Sequence, residues 1–464
     1  MKSIKLVFLI ALKQEVPDFL LETKGCALVS LKALLAGDYR VFDDKTISVL
    51  GIITGVGCEA SILAATWVVD HLKPYQVINL GSAGSQSHQL IIGDLVVISS
   101  VITQEHSPIA CLDRVPVLGT NVMDLPLVSL GSVQQLGDII ESDVVDMEAF
   151  WQADRFIDSS IAFTSLKYIT DNNDDQTRRD VFKHFVNLRH SFNVLFQPLV
   201  DALSHPLAID ITVIIPTYNR ATFILRAVES VLAQTYDCRC LVVDDGSTDD
   251  TLDQLAVFQD KIDVLCLSHN QGVSEARNQG VLAAKTNWIA FLDSDDVWTS
   301  SKLAKQVDYL NHHPLFEIMQ CDENWFRNGK QKCKKFYHHK QEGWFFQRSL
   351  ERCLISPSAV LISKRLFCIY YGFNNQFPAC EDYDLWCRIT RDYPVGFNND
   401  IGVDKYAGHH DQLSELPFLD QYRLKTLGVL ADQEKNIIYQ LVIKKILFFK
   451  QCLVKKGKLK RIKV

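Results

Sequence analysis

A rhythm that stops and then starts again constrains the fold of this chain most. Up to about residue 203, short apolar runs rich in β-branched residues ("IKLVFLIAL", "TISVLGIITGVG", "YQVINLGSAG", "GDLVVISSVI", "SSIAFTSLKYIT") alternate with helical stretches such as 58–72. Runs this short and this apolar can be buried on both faces only in a sheet flanked by helices, so the alternation specifies an α/β domain. The rhythm breaks at "DALSHPLAID", where a last helix over 181–203 gives way to Pro206, and resumes with "IDITVIIPTYNR", "CRCLVVDDGSTDDTLDQL" and "NWIAFLDSDDVW". The expected organisation is an α/β domain over 1–204, a second α/β domain over 209–415 and a helical, basic tail over 416–464. No repeat relates the halves, and 464 residues exceed one ordinary core.

Charge and cysteine usage narrow the class. A net charge of -7 argues against nucleic acid as the main partner. Thirteen cysteines are scattered without paired metal-type spacing, which fits a reduced, cytoplasmic compartment. The opening "MKSIKLVFLIAL" lacks a small-residue cleavage site and reads as a first buried strand, not a signal peptide. No apolar run is long enough for a membrane span. The end, "YQLVIKKILFFKQCLVKKGKLKRIKV", mixes apolar residues with lysines. It reads either as a basic amphipathic helix in peripheral contact with the inner face of a membrane, or as a packed helix with a solvated tail.

Ligands of open α/β sheets bind where strands end at their carboxyl edge. In the second half those ends carry Pro216-Thr217-Tyr218-Asn219, Asp244-Asp245-Gly246-Ser247 and Asp293-Ser294-Asp295-Asp296. Like charges crowded at the last of these call for a positive partner. Residues two apart in extended chain point the same way, so Asp293 and Asp295 are expected to converge on one cation. Hard oxygen ligands select Mg²⁺ or Mn²⁺, which also bind phosphate oxygens, so a metal carrying a diphosphate is the expected occupant.

The order "PTYN", "VVDDGSTDDT", "NQGVSEARNQG", "FLDSDD", "CEDYDLWCRI" resembles the family 2 glycosyltransferases of the GT-A fold, over roughly 209–415. The resemblance implies transfer of a sugar from a nucleotide-diphosphate sugar to an unknown glycan or lipid acceptor, with inversion. It implies a nucleotide-sugar site formed by Pro216, Tyr218, Asp244, Asp245, Arg277 and Asp293, with Asp245 toward base and ribose and Arg277 near base or diphosphate. Asp293 and Asp295 would be the metal-binding D-x-D element, and His409 of "KYAGHHDQLS" would approach metal or diphosphate. Asp382 would be the base for the acceptor hydroxyl, with Glu381 second.

The first half carries softer motifs: "ALKQEV", "TGVGCEAS", "INLGSAGS", "SDVVDMEAFW" and "LKYITDNND". Together they resemble the purine nucleoside phosphorylase and nucleosidase superfamily, especially the hydrolases of methylthioadenosine and adenosylhomocysteine. That implies Glu15 activating a water, Glu148 on the ribose hydroxyls, Met147 against the ribose, Gly84 bringing backbone to the nucleoside, and Asp171 protonating the purine. No early Gly-Asp-x-x-Arg phosphate element is present, so water is the expected nucleophile. The region that would stack on the purine is unusual, with Val133 and Gln134 in its place. The expectation is thus a glycosyltransferase fused to a purine nucleosidase; the alternative makes the first domain a non-catalytic nucleoside-binding or assembly module. Both superfamilies commonly form homo-oligomers.

Overall fold

A computed structural model describes residues 4–44, 47–87, 89–103, 109–111, 125–132, 142–156, 159, 161–172, 181–204, 209–258, 260–314, 316–408 and 419–431. They fall into two units, Met1–Pro206 and Leu207–Val464.

The strands of the first unit are β1 (Leu6–Ile10), β2 (Cys26–Ser30), β3 (Val49–Ile53), β4 (Gln76–Ser85), β5 (Leu95–Ile102), β6 (Ile109–Ala110), β7 (Leu127–Ser132), β8 (Val144–Asp146) and β9 (Ala162–Asp171). They pair in the order β2-β3-β1-β4-β8-β7-β5-β6, with β9 bonded to both β4 and β5. The pairs β4–β8, β8–β7, β7–β5, β5–β9 and β9–β4 therefore close a circuit. The opening apolar run is β1, buried at every position between parallel neighbours β3 and β4, where an unbroken apolar strand belongs.

"INLGSAGS" ends β4, which runs through Gly81 and Gly84, shifts register against β9 after Ala83 and takes on β8. One expectation for this unit needs correcting. The single helix expected over 181–203 is a 3₁₀ turn (Val181–His184) and two helices, Phe185–Leu195 and Gln197–Ser204. Pro198 is the reason, because it has no N–H and its ring opposes the carbonyl of Val194. Phe196 fills the break, its ring 5.1 Å from Phe8 and 5.5 Å from Phe19.

The second unit holds β10 (Ile211–Thr217), β11 (Arg239–Asp244), β12 (Asp263–Cys266), β13 (Trp288–Phe291), β14 (Val297–Trp298), β15 (Ile318–Arg327), β16 (Lys330–Lys332), β17 (Val360–Ser363) and β18 (Gly396–Ala407). Their order is β12-β11-β10-β13-β17-β15-β18-β14, with β16 on β15. β10 is wholly buried between parallel β11 and β13. Its pairing with β13 ends at Ile214–Phe291, so Pro216 lies beyond that ladder, where its missing N–H is tolerated. The helix Val273–Ala283 lies tight on this sheet because Gly280 faces it; a Cβ there would come within 2.6 Å of Ile214 Cγ2. That approach sets Arg277, one turn earlier, over the carboxyl edge. Among the described residues no helix is long and apolar enough to cross a membrane.

Candidate functional sites

The carboxyl edge of the second sheet opens into a cleft of about 1040 Å³. Asp245, Arg277, Asp293, Asp295, Glu381, Asp382 and Lys405 are all on its wall, as are Pro216 and Tyr218. Asp244 is not; it is buried behind the wall, where its Oδ2 accepts the Ser247 N–H at 3.0 Å. Asp245 shapes the wall itself, accepting from the Gln271 and Gly272 N–H groups at 2.8 Å each. It thereby orders the loop that starts the Arg277 helix. Arg277 is buried and forked between two acids: Nη1 donates to Glu381 Oε1 at 2.7 Å and Nη2 to Asp293 Oδ1 at 2.6 Å.

The acids after β13 are not in extended chain. Asp293–Asp296 form a turn, closed by the Asp296 N–H donating to the Asp293 carbonyl at 2.9 Å. Asp293 and Asp295 therefore reach the cleft from a turn and not by strand alternation, and the residues share out different tasks. Asp296 is buried and structural, accepting from Ser358 Oγ at 2.7 Å and the Tyr406 N–H at 3.1 Å. Burial, with the neighbouring acids, pushes its carboxyl well above the usual range. Asp293 faces the cleft. Burial opposes its ionisation, but the Arg277 and Lys405 charges hold it below the usual carboxylate range. The Asp295 carbonyl accepts from Arg226 Nη2, and that guanidinium lies 4.3 Å over the Tyr406 ring.

Lys405 was not singled out from the sequence. Its ammonium donates to Ser356 Oγ at 2.9 Å. Burial works against its charge, yet Glu323, Asp296, Asp293 and Asp382 hold it protonated well above the usual lysine range. The cleft thus has a permanent cation beside its acids. Asp382 stands in the first turn of the helix Glu381–Asp392, behind Cys380 at φ 64°, and accepts from Cys353 Sγ at 3.4 Å. Glu381 is raised by burial and by Asp382, against the pull of Arg277.

The residues present fit a divalent cation that arrives with a ligand. Among the described residues no group of three or more His, Cys, Asp or Glu side chains could enclose a metal alone. Asp293 and Asp295 offer hard oxygens at one turn, and Mg²⁺ typically takes one or two carboxylates and completes its shell with phosphates and water. His409 lies outside the described residues.

In the first unit, Glu15 is buried at the end of a 3₁₀ turn and accepts from the Ser82 N–H (2.9 Å) and Oγ (2.7 Å) on β4. Glu148, just past β8, accepts from the Gly57 N–H at 3.2 Å. Met147 packs with Val145 and Ile102. Asp171, at the end of β9, is buried opposite Gly84, which also pairs with Val145. All of these candidates therefore gather at one edge. Lys167, missed in the sequence, sits among them with its Nζ 2.7 Å from Asp146 Oδ2, both side chains 1% exposed. A lysine inside the apolar run "IAFTSLKYIT" was the available signal. Val133 and Gln134 lie outside the described residues.

Burial and the Asp146 charge, against the pull of Lys167, raise Glu148 to about 7. A carboxyl raised on folding binds its proton in the native chain after the unfolded chain has lost it. Stability is therefore expected to fall as pH rises from about 4.5 to about 7 and then to level off, by roughly 3 kcal/mol. Urea unfolding across this window should show the slope in wild type and lose it in Glu148→Gln; an unchanged slope would assign it elsewhere.

A mixed sheet whose parallel strands β10, β11 and β13 gather acids and a forked arginine around a deep cleft at their carboxyl edge defines an α/β protein with a cleft of the ligand-binding type. The chain belongs to glycosyl transferase family 2, whose family model matches residues 212–367. The model of the phosphorylase superfamily matches residues 5–114, so a nucleosidase-like α/β domain precedes the transferase domain. Two curated relatives are UDP-Glc:alpha-D-GlcNAc-diphosphoundecaprenol beta-1,3-glucosyltransferases of Escherichia coli. WfgD is 30% identical over 242 residues, 50% of this chain and 90% of its own. WfaP is 29% identical over 231 residues, 48% of this chain and 88% of its own. Among solved structures, S. aureus TarS 1–349 with UDP-GlcNAc aligns with 51% of this chain and 72% of its own, at 18% identity and a TM-score of 0.43. The MTAN CT263 of Chlamydia trachomatis aligns with 44% of this chain and 100% of its own, at 18% identity and a TM-score of 0.33.

Proposed function

We propose that the second unit transfers a sugar, with inversion, from a uridine-diphosphate donor to a hydroxyl of a sugar carried on a lipid diphosphate. The supporting observation is that Asp245, Arg277, Asp293, Asp295 and Asp382 wall one cleft. The donor and acceptor classes are those named for the Escherichia coli relatives. Asp245 and Arg277 hold the nucleotide end, and Lys405 places a fixed positive charge near the departing diphosphate. Asp382 takes the proton of the acceptor hydroxyl as its oxygen bonds to the anomeric carbon and the bond to the diphosphate breaks. Mg²⁺ or Mn²⁺ held by Asp293 and Asp295 would supply charge neutralisation on the leaving group. Nucleotide release from UDP-glucose with a GlcNAc-diphospholipid acceptor is expected to require a divalent cation. Asp295→Ala should lose Mn²⁺-dependent donor binding, and a variant that keeps it would remove Asp295 from the metal site.

We infer further that the first unit binds and hydrolyses a purine nucleoside. What favours this is the gathering of Glu15, Glu148 and Asp171 at one edge, with Glu148 near neutrality. Asp171 protonates the base and Glu15 activates water. Chromatography of a panel including methylthioadenosine and adenosylhomocysteine should show free base from wild type and at least a hundredfold less from Asp171→Asn. Nucleoside binding without release would make this unit a binding module instead.

A further inference from the structure

Between Asn324 and Gln341 the chain has Arg327, Lys330, Lys332, Lys334, Lys335 and Lys340 and no Asp or Glu, in a protein of net charge -7. The structure gathers this run into a projecting hairpin. β15 and β16 pair through Phe326–Gln331 and Arg327–Lys330. Asn328 and Gly329 between them have φ of 52° and 72°, the left-handed pair of a tight two-residue turn. A 3₁₀ turn, Phe336–His338, follows directly.

Lys334 is neutralised by Asp322 and Lys340 by Glu323. Lys330, Lys332 and Lys335 are exposed, and the segment offers them no carboxylate. At their centre Phe336 is 87% exposed and Tyr337 41%. Arg352 stacks its guanidinium 4.1 Å from the Tyr337 centroid, and Lys335 its ammonium at 5.7 Å. An exposed phenylalanine in a lysine-rich segment is costly in water and ordinary at an anionic bilayer surface, where the ring enters the headgroup layer and the lysines meet phosphates.

The patch also continues into the cleft. Cys353, next to Arg352, lines the cleft and donates to Asp382. Phe326 stacks at 5.2 Å on Tyr406, another wall residue. We propose that the segment Arg327–Lys340, with Arg352, docks this protein on an anionic bilayer. The docking turns the Asp382 side of the cleft toward a membrane that carries the acceptor. Its use in transfer rests on the transferase reading above; the docking itself does not.

The test is co-sedimentation of the full chain with phosphatidylcholine vesicles, with and without phosphatidylglycerol. Wild type is expected to sediment only with the anionic vesicles. The triple variant Lys330→Ala/Lys332→Ala/Lys335→Ala should lose about a hundredfold in partition, from about 1 kcal/mol per lysine and 1.4 kcal/mol per tenfold. Phe336→Ser, equally exposed and so harmless to folding, should lose about tenfold. Unchanged partition in the triple variant overturns the proposal and moves binding elsewhere on the chain. So does equal binding to neutral vesicles, absence of vesicle binding in wild type, or heparin binding without vesicle binding. With a water-soluble acceptor the triple variant should transfer at the wild-type rate, and with a vesicle-borne acceptor it should not. If wild type transfers to neither acceptor, the transferase reading fails while co-sedimentation still reports on the patch.

Discussion

Asp382→Asn is expected to lower sugar transfer by about 10²–10⁴-fold while donor affinity changes by no more than about threefold. The geometry separates two neighbouring acids that the sequence left side by side. Glu381 is engaged at 2.7 Å by Arg277, so taking a proton there would weaken a buried ion pair. Asp382 instead meets the thiol of Cys353 at 3.4 Å. A thiol is a weak donor, and burial together with Asp382 itself pushes the Cys353 thiol well above its ordinary value, so it stays protonated. An incoming alcohol can displace such a donor without leaving a charge unpaired. Asparagine keeps the shape and the first-turn position but cannot accept the proton. Nucleotide release measured with acceptor, beside a donor titration without it, separates the two effects. A variant within tenfold of wild type would take the base away from Asp382, and a variant that no longer binds donor would make the residue part of the donor site.

The features legible in the sequence were local. Short apolar runs that become strands, the break at Pro206 and acids placed at strand ends depend on residues a few positions apart, and the two-domain α/β architecture follows from them. What the sequence hid depends on partners distant in the chain. Asp296 looked like a third member of an acidic cluster, but Ser358, 62 positions away, turns it into a buried structural acid. Lys405 is unremarked within "VDKYAG" and gains meaning only when β18 brings it beside Asp293 and Asp382. The D-x-D spacing suggested strand alternation; the chain instead turns at Asp293, which no period-two argument foresees. Lys167 stood out only as a lysine inside an apolar run, and its meaning depends on Asp146, 21 positions away, which pairs with it at 2.7 Å.

Arg277→Met should destabilise the second unit by about 3–5 kcal/mol, the usual penalty for removing one partner of a buried ion pair. The magnitude follows from what is left behind. Glu381 has a side chain only 6% exposed and would lose its Nη1 donor; Asp293, at 27%, would lose Nη2 but can still draw on water and Lys405. Most of the loss therefore belongs to Glu381, which predicts that Arg277→Met/Glu381→Met recovers much of it. Arg277→Lys should fall between, because one ammonium cannot span two carboxylates as a planar fork does. Unfolding followed by tryptophan fluorescence favours this unit, which contains Trp288, Trp298, Trp325, Trp344 and Trp386. A loss below about 1 kcal/mol in the single variant would mean that Glu381 finds another partner or takes up a proton. The second outcome is distinguishable, because a protonated Glu381 would make the variant's deficit shrink as pH falls. Donor affinity in the double variant then isolates function from folding. A stable protein that fails to bind the nucleotide sugar would place Arg277 in contact with the donor, and one that binds normally would confine it to holding Glu381 and Asp293 in place.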